Sequence, residues 1–363
     1  MDACSRAEPA KLLLDGDMTQ TKKPEERNGG AVTLKSVAAH VGLSPGTVSA
    51  VLNDAPSSKH IPKATRERII AAARKLDYRP NFFAQTLRRQ RTYTLGVIAH
   101  EIGDGYSSSI IAGIEDAARQ KDYFFVTGVH RHDPELFQKY SRLLLQRGAE
   151  GIITLDFNLA HSLQVPAVSI PGHKENEGVT NIVLDHHHAA ELAFRHLMEL
   201  GHTKIAILRG HPESADSQHR WTAVQQVAQE VGLELDPDLV VQILSEESTP
   251  LLGYPYGKEL IERKRPFTAL LAYNDISAIG AMRAFHEAGF EIPRDISVVG
   301  FDDIPAAAFH YPSLTTVRQP LHRMGELAVE MLVERLENSK QMEPEIAVQP
   351  EIVVRESTGP ARK

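Results

Sequence analysis

From Thr94 almost to its end, the chain alternates short apolar runs with amphipathic helical stretches, a pattern that few folds tolerate. The runs at 94–99, 123–129, 151–155, 165–170, 204–208, 268–272 and 297–300 have the length and composition of strands. Between them, apolar residues recur at helical spacing over 110–121, 135–147, 189–200, 221–230 and 278–288, as Ile111, Ile114, Ala117 and Ala118 do in the first. Such alternation predicts parallel α/β sheets with helices on both faces. At about 100–200 residues per domain it is too long for one sheet, so two Rossmann-like subdomains with a cleft between them are expected. Ligands enter such folds at the carboxyl ends of the strands. Glu101-Ile102-Gly103-Asp104-Gly105-Tyr106 lacks the glycine spacing of a dinucleotide fingerprint and no P-loop occurs, so no cofactor is expected.

Before Thr94 the character changes. Residues 31–91 hold 11 Lys and Arg against 3 Asp and Glu, whereas 92–363 hold 24 against 38. A cationic block joined to an anionic body is an electrostatic footprint for a polyanion, although a solvated, Arg-rich helical face has the same composition. Residues 1–30 have no apolar period, end in Gly29-Gly30 and read as a disordered tail. Order is expected from Thr33, whose hydroxyl suits an N-cap. Leu34, Val37, Ala38 and Val41 form an apolar stripe, and Gly42 stops that helix. Ser44 and Pro45 open a second, with Val48, Val51 and Leu52 inward and Thr47, Ser49 and Ala50 outward. Two short helices at a Gly turn predict a helix-turn-helix whose small outer face allows close approach to a groove, and they equally fit an ordinary helical hairpin. A third helix at 63–76 would bury Ile69, Ile70, Ala73 and Leu76.

Taken in order, Thr33-Leu34-Lys35-Ser36-Val37-Ala38, Leu43-Ser44-Pro45-Gly46-Thr47-Val48-Ser49, Val51-Leu52-Asn53, Thr65-Arg66-Glu67-Arg68 and Tyr78-Arg79-Pro80-Asn81 resemble the DNA-binding headpiece of the LacI/GalR family of bacterial transcription regulators. The resemblance implies an all-α helix-turn-helix domain at 31–80 and a hinge helix and linker at 81–92. It places Thr33, Leu34, Ser44, Pro45, Gly46, Thr47, Ser49, Ala50, Asn53, Asn81, Gln85, Leu87 and Arg88 on double-stranded DNA, with Leu87 as a minor-groove wedge. A helix of seven or eight residues is marginal alone, since isolated helices need about 12–15, so docking on DNA would have to complete the hinge. Ala50 stands where the family commonly carries Arg, which leaves more of the recognition to phosphates and groove shape. The stretch 54–61 is longer than usual and extends the loop before the third helix.

The resemblance continues through Gly113-Ile114-Glu115, Leu200-Gly201-His202, Tyr273-Asn274-Asp275, the stretch 292–303, Pro312-Ser313-Leu314-Thr315-Thr316-Val317 and Val354-Arg355-Glu356-Ser357-Thr358. It implies an effector-binding and dimerisation domain at 93–358 built like periplasmic sugar-binding proteins. Lobe 1 would hold about 93–184 and 316–340, and lobe 2 about 185–315 and 341–358, with crossings near Asp185, Thr315 and Gln341. Arg220, Asn274 and Asp302 match ligand-contacting positions, and Tyr106 and Trp221 are candidates to stack on a sugar face. The implied function is sequence-specific repression as a homodimer on a palindromic operator, controlled by a small-molecule effector, carbohydrate by class. The alternative is a solute-binding protein with the same body, and an α/β enzyme comes third.

The remaining features set limits. One cysteine, Cys4, allows no intrachain disulfide, which suits a reducing cytoplasm. The longest apolar runs fall far below the about 20 residues of a membrane span, and Leu12-Leu13-Leu14 is too brief for a signal peptide, so a soluble chain without a membrane partner is expected. In Asp185-His186-His187-His188, adjacent helical residues point about 100° apart and cannot easily share one ion. Asp185 therefore reads as an N-cap, and no metal is expected. Glu246-Glu247 reads as solvated, and no nucleophile–base pair stands out, so no catalytic residue is assigned.

Overall fold

A computed structural model of the chain describes residues 32–79, 86, 90–159, 162–245, 247–338 and 343–362. They fall into two compact units divided between Arg89 and Gln90. The expected tail at 1–30 and the hinge positions Asn81, Gln85, Leu87 and Arg88 lie outside the described residues.

The first unit contains α1 (Leu34–Val41), α2 (Pro45–Leu52) and α3 (Lys63–Lys75), with a 3-10 turn at Pro56–His60 in the long loop. Thr33 and Ser36 cap α1 reciprocally, each side chain accepting from the other's backbone N–H at 3.3 Å. Gly42 ends α1 at φ 65°, a conformation open to glycine at little cost. Ser44 Oγ accepts from Thr47 N at 3.1 Å and starts α2. Val37, Ala38, Val48, Val51, Ile69, Ala72 and Ala73 form the core. Ile70, expected inside, is 38% exposed. The buried set on α3 steps by three and four from Ile69 to Ala72 and Ala73, and the 100° turn to residue 70 carries Ile70 off that face.

The second unit is built on two six-stranded sheets. Lobe 1 contains β1 (Thr94–Ala99), β2 (Phe124–Val129), β3 (Gly151–Leu155), β4 (Ala167–Ile170), β5 (Val179–Leu184) and β11 (Glu345–Val348). Their order is β11-β5-β4-β3-β1-β2 and every pairing is parallel. Its helices are α4 (Gly105–Gln120), α5 (Pro134–Gln146) and α11 (Leu321–Asn338). Lobe 2 contains β6 (Ile205–Arg209), β7 (Val240–Gln242), β8 (Ala269–Leu271), β9 (Ser297–Asp302), β10 (Thr315–Arg318) and β12 (Glu351–Val353) in the order β12-β10-β9-β8-β6-β7. These strands are parallel except β12, which runs antiparallel to β10. Its helices are α6 (His186–Glu199), α7 (Ser217–Glu230), α8 (Tyr254–Glu262), α9 (Asp275–Glu287) and the short α10 (Pro305–Phe309). β1, β3, β5 and β9 are buried along their whole length, which is why their sequences show no two-residue alternation.

The chain passes between lobes at three places, and two differ from expectation. The first is Asp185, between β5 and α6. The second was expected near Thr315, but Thr315 through Arg318 pair with β9, so the chain leaves lobe 2 only after Arg318. The third was expected near Gln341, but Glu345 through Val348 pair with β5 in lobe 1, so the crossing falls at Gln349-Pro350. In lobe 1, α4 and α11 cross at glycine. A Cβ on Gly113 would lie 1.9 Å from the His322 carbonyl oxygen, and one on Gly325 would lie 2.1 Å from that of Ile110.

Candidate functional site

In the first unit, α1 and α2 present their N-terminal turns with no acidic residue in either. Thr33, Ser44, Pro45 and Gly46 are exposed, and Leu34, Thr47, Ser49, Ala50 and Asn53 are half-buried. Ser44 and Thr47 hydroxyls lie 2.9 Å apart at the opening of α2. Asn53 Nδ2 donates to the Ser49 carbonyl at 2.8 Å and to Ser49 Oγ at 3.1 Å, fixing the other end. Unpaired N–H groups and the dipole make such helix starts suited to phosphate oxygens.

In the second unit, a cleft opens between the carboxyl ends of the two sheets. It encloses about 750 Å³ of space, solvent at its mouth included. Residues just beyond strand ends line it: His100 after β1, His132 after β2, Asp156 after β3, Tyr273 and Asn274 after β8, and Asp302 closing β9. The helix starts add Asp104 just before α4 and Tyr106 in its first turn, and Asp216 just before α7 and Arg220 in its first turn. Of the expected effector residues, Tyr106, Arg220, Asn274 and Asp302 meet here. Trp221 does not. One helical step from Arg220, it packs against the core under the Arg209 guanidinium, whose Cζ sits 4.5 Å from the indole centroid.

Arg220 is buried and held on several sides. Its Nη1 donates to the Tyr273 carbonyl, its Nη2 lies 3.4 Å from Asp216 Oδ2, and its Cζ stands 3.7 Å over the Phe301 ring. Its Nε is buried and has no hydrogen-bond partner among the described residues. Asp302 accepts from Gln319 Nε2 at 2.7 Å, and burial raises its carboxyl well above the usual range against the opposing pull of Arg220. Asn274 caps α9 through its Oδ1, which accepts from Ser277 N at 2.9 Å, leaving the amide nitrogen for other partners. Burial raises the Tyr106 hydroxyl well above its ordinary value, and Asp216, Asp156 and Asp302 add to the effect. Burial also lifts Asp104 to about 6, although Ser107 N donates to it at 2.7 Å.

Sequence reasoning missed a second set. Asp156 Oδ1 reaches across the cleft to Ser214 Oγ at 3.1 Å and Ala215 N at 2.7 Å. Its Oδ2 meets His132 Nε2 at 3.0 Å. Burial alone would raise Asp156, but the His132 bond and nearby histidines outweigh it and hold the carboxyl below its ordinary value. The His100 and His132 rings stack at 3.8 Å, and His211 from the other lobe lies parallel to His132 at 5.8 Å. Asp156, His132 and Asp302 all have positive φ, at 54°, 53° and 110°. Backbone held this way costs of order 1–3 kcal/mol per residue and concentrates at functional sites. The available signal was position, because each of these residues follows the end of a parallel strand.

The cleft thus offers a buried fork of N–H donors, a buried carboxyl whose neutral form burial favours, an amide and aromatic walls. That combination suits a small molecule bearing several hydroxyls.

Comparison with known proteins gives consistent matches. Residues 33–81 match the family model of bacterial regulatory proteins of the lacI family, and 194–358 match the periplasmic binding protein-like domain. The HTH-type transcriptional repressor PurR of Vibrio atlanticus is 30% identical over 331 residues, covering 89% of this chain and 97% of the relative. PurR of Erwinia tasmaniensis is 31% identical over 341 residues, covering 91% and 98%. Among solved structures, the lac repressor dimer bound to operator and the anti-inducer ONPF superposes with a TM-score of 0.81 at 27% identity, covering 91% of this chain and all of that one. The transcriptional regulator CelR in complex with cellobiose gives 0.65 at 26% identity, covering 90% and 99%.

Proposed function

The chain belongs to the LacI family of bacterial regulatory proteins, and from that membership we propose that it is a transcription repressor whose grip on a palindromic DNA operator responds to a small molecule in the cleft. Its relatives are repressors rather than enzymes or plain solute binders, and no described helix is long and apolar enough to cross a membrane. We read it as a non-enzymatic regulator of the cytoplasm. A homodimer fits a two-fold operator, as in the lac repressor complex, and cellobiose in CelR makes a carbohydrate the first effector class to test.

One observation carries the reading. A helix-turn-helix unit precedes, in the same chain, a cleft where Tyr106, Arg220, Asn274 and Asp302 meet. The Arg220 Nε without a partner is polar capacity that a bound hydroxyl would satisfy. Effector in the cleft changes operator affinity only by its differential affinity for the two conformations, and relief of repression is the expected sign.

The test is selection of duplexes from a random pool by the full chain, followed by titration with a carbohydrate panel. A palindrome should emerge, bound with an affinity that falls steeply with salt, and at least one sugar should shift it. Absence of any enriched sequence would overturn the reading. Leu87→Ala should weaken the selected site far more than random DNA, and equal losses would remove the wedge from the account.

A further inference from the structure

We propose that His173, His186 and Asp216 form a site for one divalent transition-metal ion, zinc by chemical class, that bridges the two lobes. His173 lies in lobe 1 beyond β4, whereas His186 opens α6 and Asp216 precedes α7 in lobe 2. His173 Nε2 is 2.7 Å and His186 Nε2 3.0 Å from the same Asp216 Oδ1, and the three atoms all lie within 4.8 Å of one another. Their side chains are only 5–10% exposed.

Direction separates this cluster from an ordinary ion pair. His186 Nε2 lies 3.0 Å from the carboxylate but is poorly aimed for a hydrogen bond, and the buried Nδ1 has no partner among the described residues. A buried imidazole nitrogen without a partner is costly, and a shared ion satisfies it. Two imidazoles and a carboxylate are a zinc ligand set, with bonds of about 2.0–2.2 Å that place tetrahedral ligand atoms about 3.3 Å apart. The separations from Asp216 Oδ1 need to open by about 0.6 Å at His173 and about 0.3 Å at His186.

The surroundings support the ligands. Arg220 Nη2 lies 3.4 Å from the other oxygen of Asp216, and the His219 ring stacks on His173 at 3.7 Å. A solvent-open cavity lined by His173, His186, His219 and Asp185 gives an ion a way in, while Asp216 also lines the cleft. Neighbouring histidines on α6 do not share the ion, in keeping with their 100° separation: His187 pairs with Glu230 at 3.0 Å. The ligands come from segments that only the fold brings together.

The experiment uses the full chain stripped with chelator and titrated with Zn²⁺ by calorimetry, and with Co²⁺ by visible absorption. One equivalent should bind, with a four- or five-coordinate cobalt spectrum and a higher unfolding temperature. His173→Gln and His186→Asn should each lower affinity at least tenfold, and the loop substitution His173→Gln is read alone if His186→Asn does not fold. Failure of the wild type to bind one equivalent, or unchanged binding in His173→Gln, would overturn the site and assign any bound metal to others of the 17 histidines. Neither readout needs DNA or an effector, so the outcome is independent of the proposed regulatory function.

Discussion

Arg220 and Asp302 illustrate how burial divides the work among charged residues. Arg220 is enclosed with Asp216, so its loss removes one of three partners of a buried carboxylate that His173 and His186 still meet. Breaking a buried pair outright costs about 3–5 kcal/mol, so with two partners left Arg220→Met should lower urea stability by less than that, while it abolishes the effector response. Burial raises the Asp302 carboxyl well above its ordinary value, which favours its neutral form. Asp302→Asn should therefore change stability by less than about 1 kcal/mol, yet cost tenfold or more in effector affinity where the carboxyl must donate or ionise. A large stability loss would show that Asp302 is charged. Asp104 gives a pH signature. Its carboxyl is raised from 3.8 to about 6, so its contribution to stability is complete below 3.8 and lost as pH rises through 6. Asp104→Asn keeps the cap without the charge. Its unfolding temperature should gain on the wild type between pH 4 and 6.5, and parallel curves would refute the shift. At this scale the three positions matched by the resemblance, Arg220, Asn274 and Asp302, and one of the two aromatic candidates, Tyr106, line a single cleft, while Trp221, one helical step from Arg220, does not. His100, His132 and Asp156 were illegible because only strand ends that meet in the fold give them a common address.

Helix boundaries show a systematic error with a physical origin. Apolar periodicity suggested starts at 110, 221 and 278, whereas the helices begin at Gly105, Ser217 and Asp275; at α6 the stripe begins at 189, but Asp185, read as the N-cap, does open the helix. The missing turns include Tyr106, Arg220 and Asp275, polar side chains placed at or beside the cleft, so hydrophobic pattern begins a turn late where a helix start serves a site. The strands β10 to β12 have three or four residues each and carry too little pattern to read, which explains the two displaced crossings. Helix α11 does have a stripe, in Leu321, Met324, Ala328, Val329 and Leu332, yet reading strands and helices in strict alternation passed over it. Its glycine crossing with α4 is testable. Gly113→Ala gains about 1 kcal/mol of helix propensity, but its methyl would meet the His322 carbonyl at 1.9 Å, an overlap that costs about 3 kcal/mol or more. Net destabilisation of about 2 kcal/mol should appear as a lower urea midpoint, and a neutral or stabilised variant would mean that the helices separate freely.

For the whole molecule the decisive quantity is the coupling between two binding events on oppositely charged parts of one chain. The DNA-binding part carries the cationic excess of residues 31–91, and the cleft lies in an anionic body. Operator affinity should therefore respond steeply to salt: six to ten phosphate contacts imply a loss of about 10³–10⁵ between 50 and 200 mM. The polar groups that line the cleft are buried, so the affinity of an effector held there should hardly move over that range. Coupling obeys a stricter rule. If saturating effector weakens operator binding tenfold, about 1.4 kcal/mol, then saturating operator must weaken effector binding tenfold as well. Calorimetric titration of effector into free and operator-bound protein measures the second factor, and DNA titration with and without effector measures the first. A finite factor that levels off as effector saturates, the same in both titrations, would establish a conformational equilibrium biased from both ends. Loss of operator binding that keeps growing with effector concentration would mean that the sugar competes for the DNA-binding surface, and unequal factors would mean that a further species, such as a bound metal ion, enters the cycle.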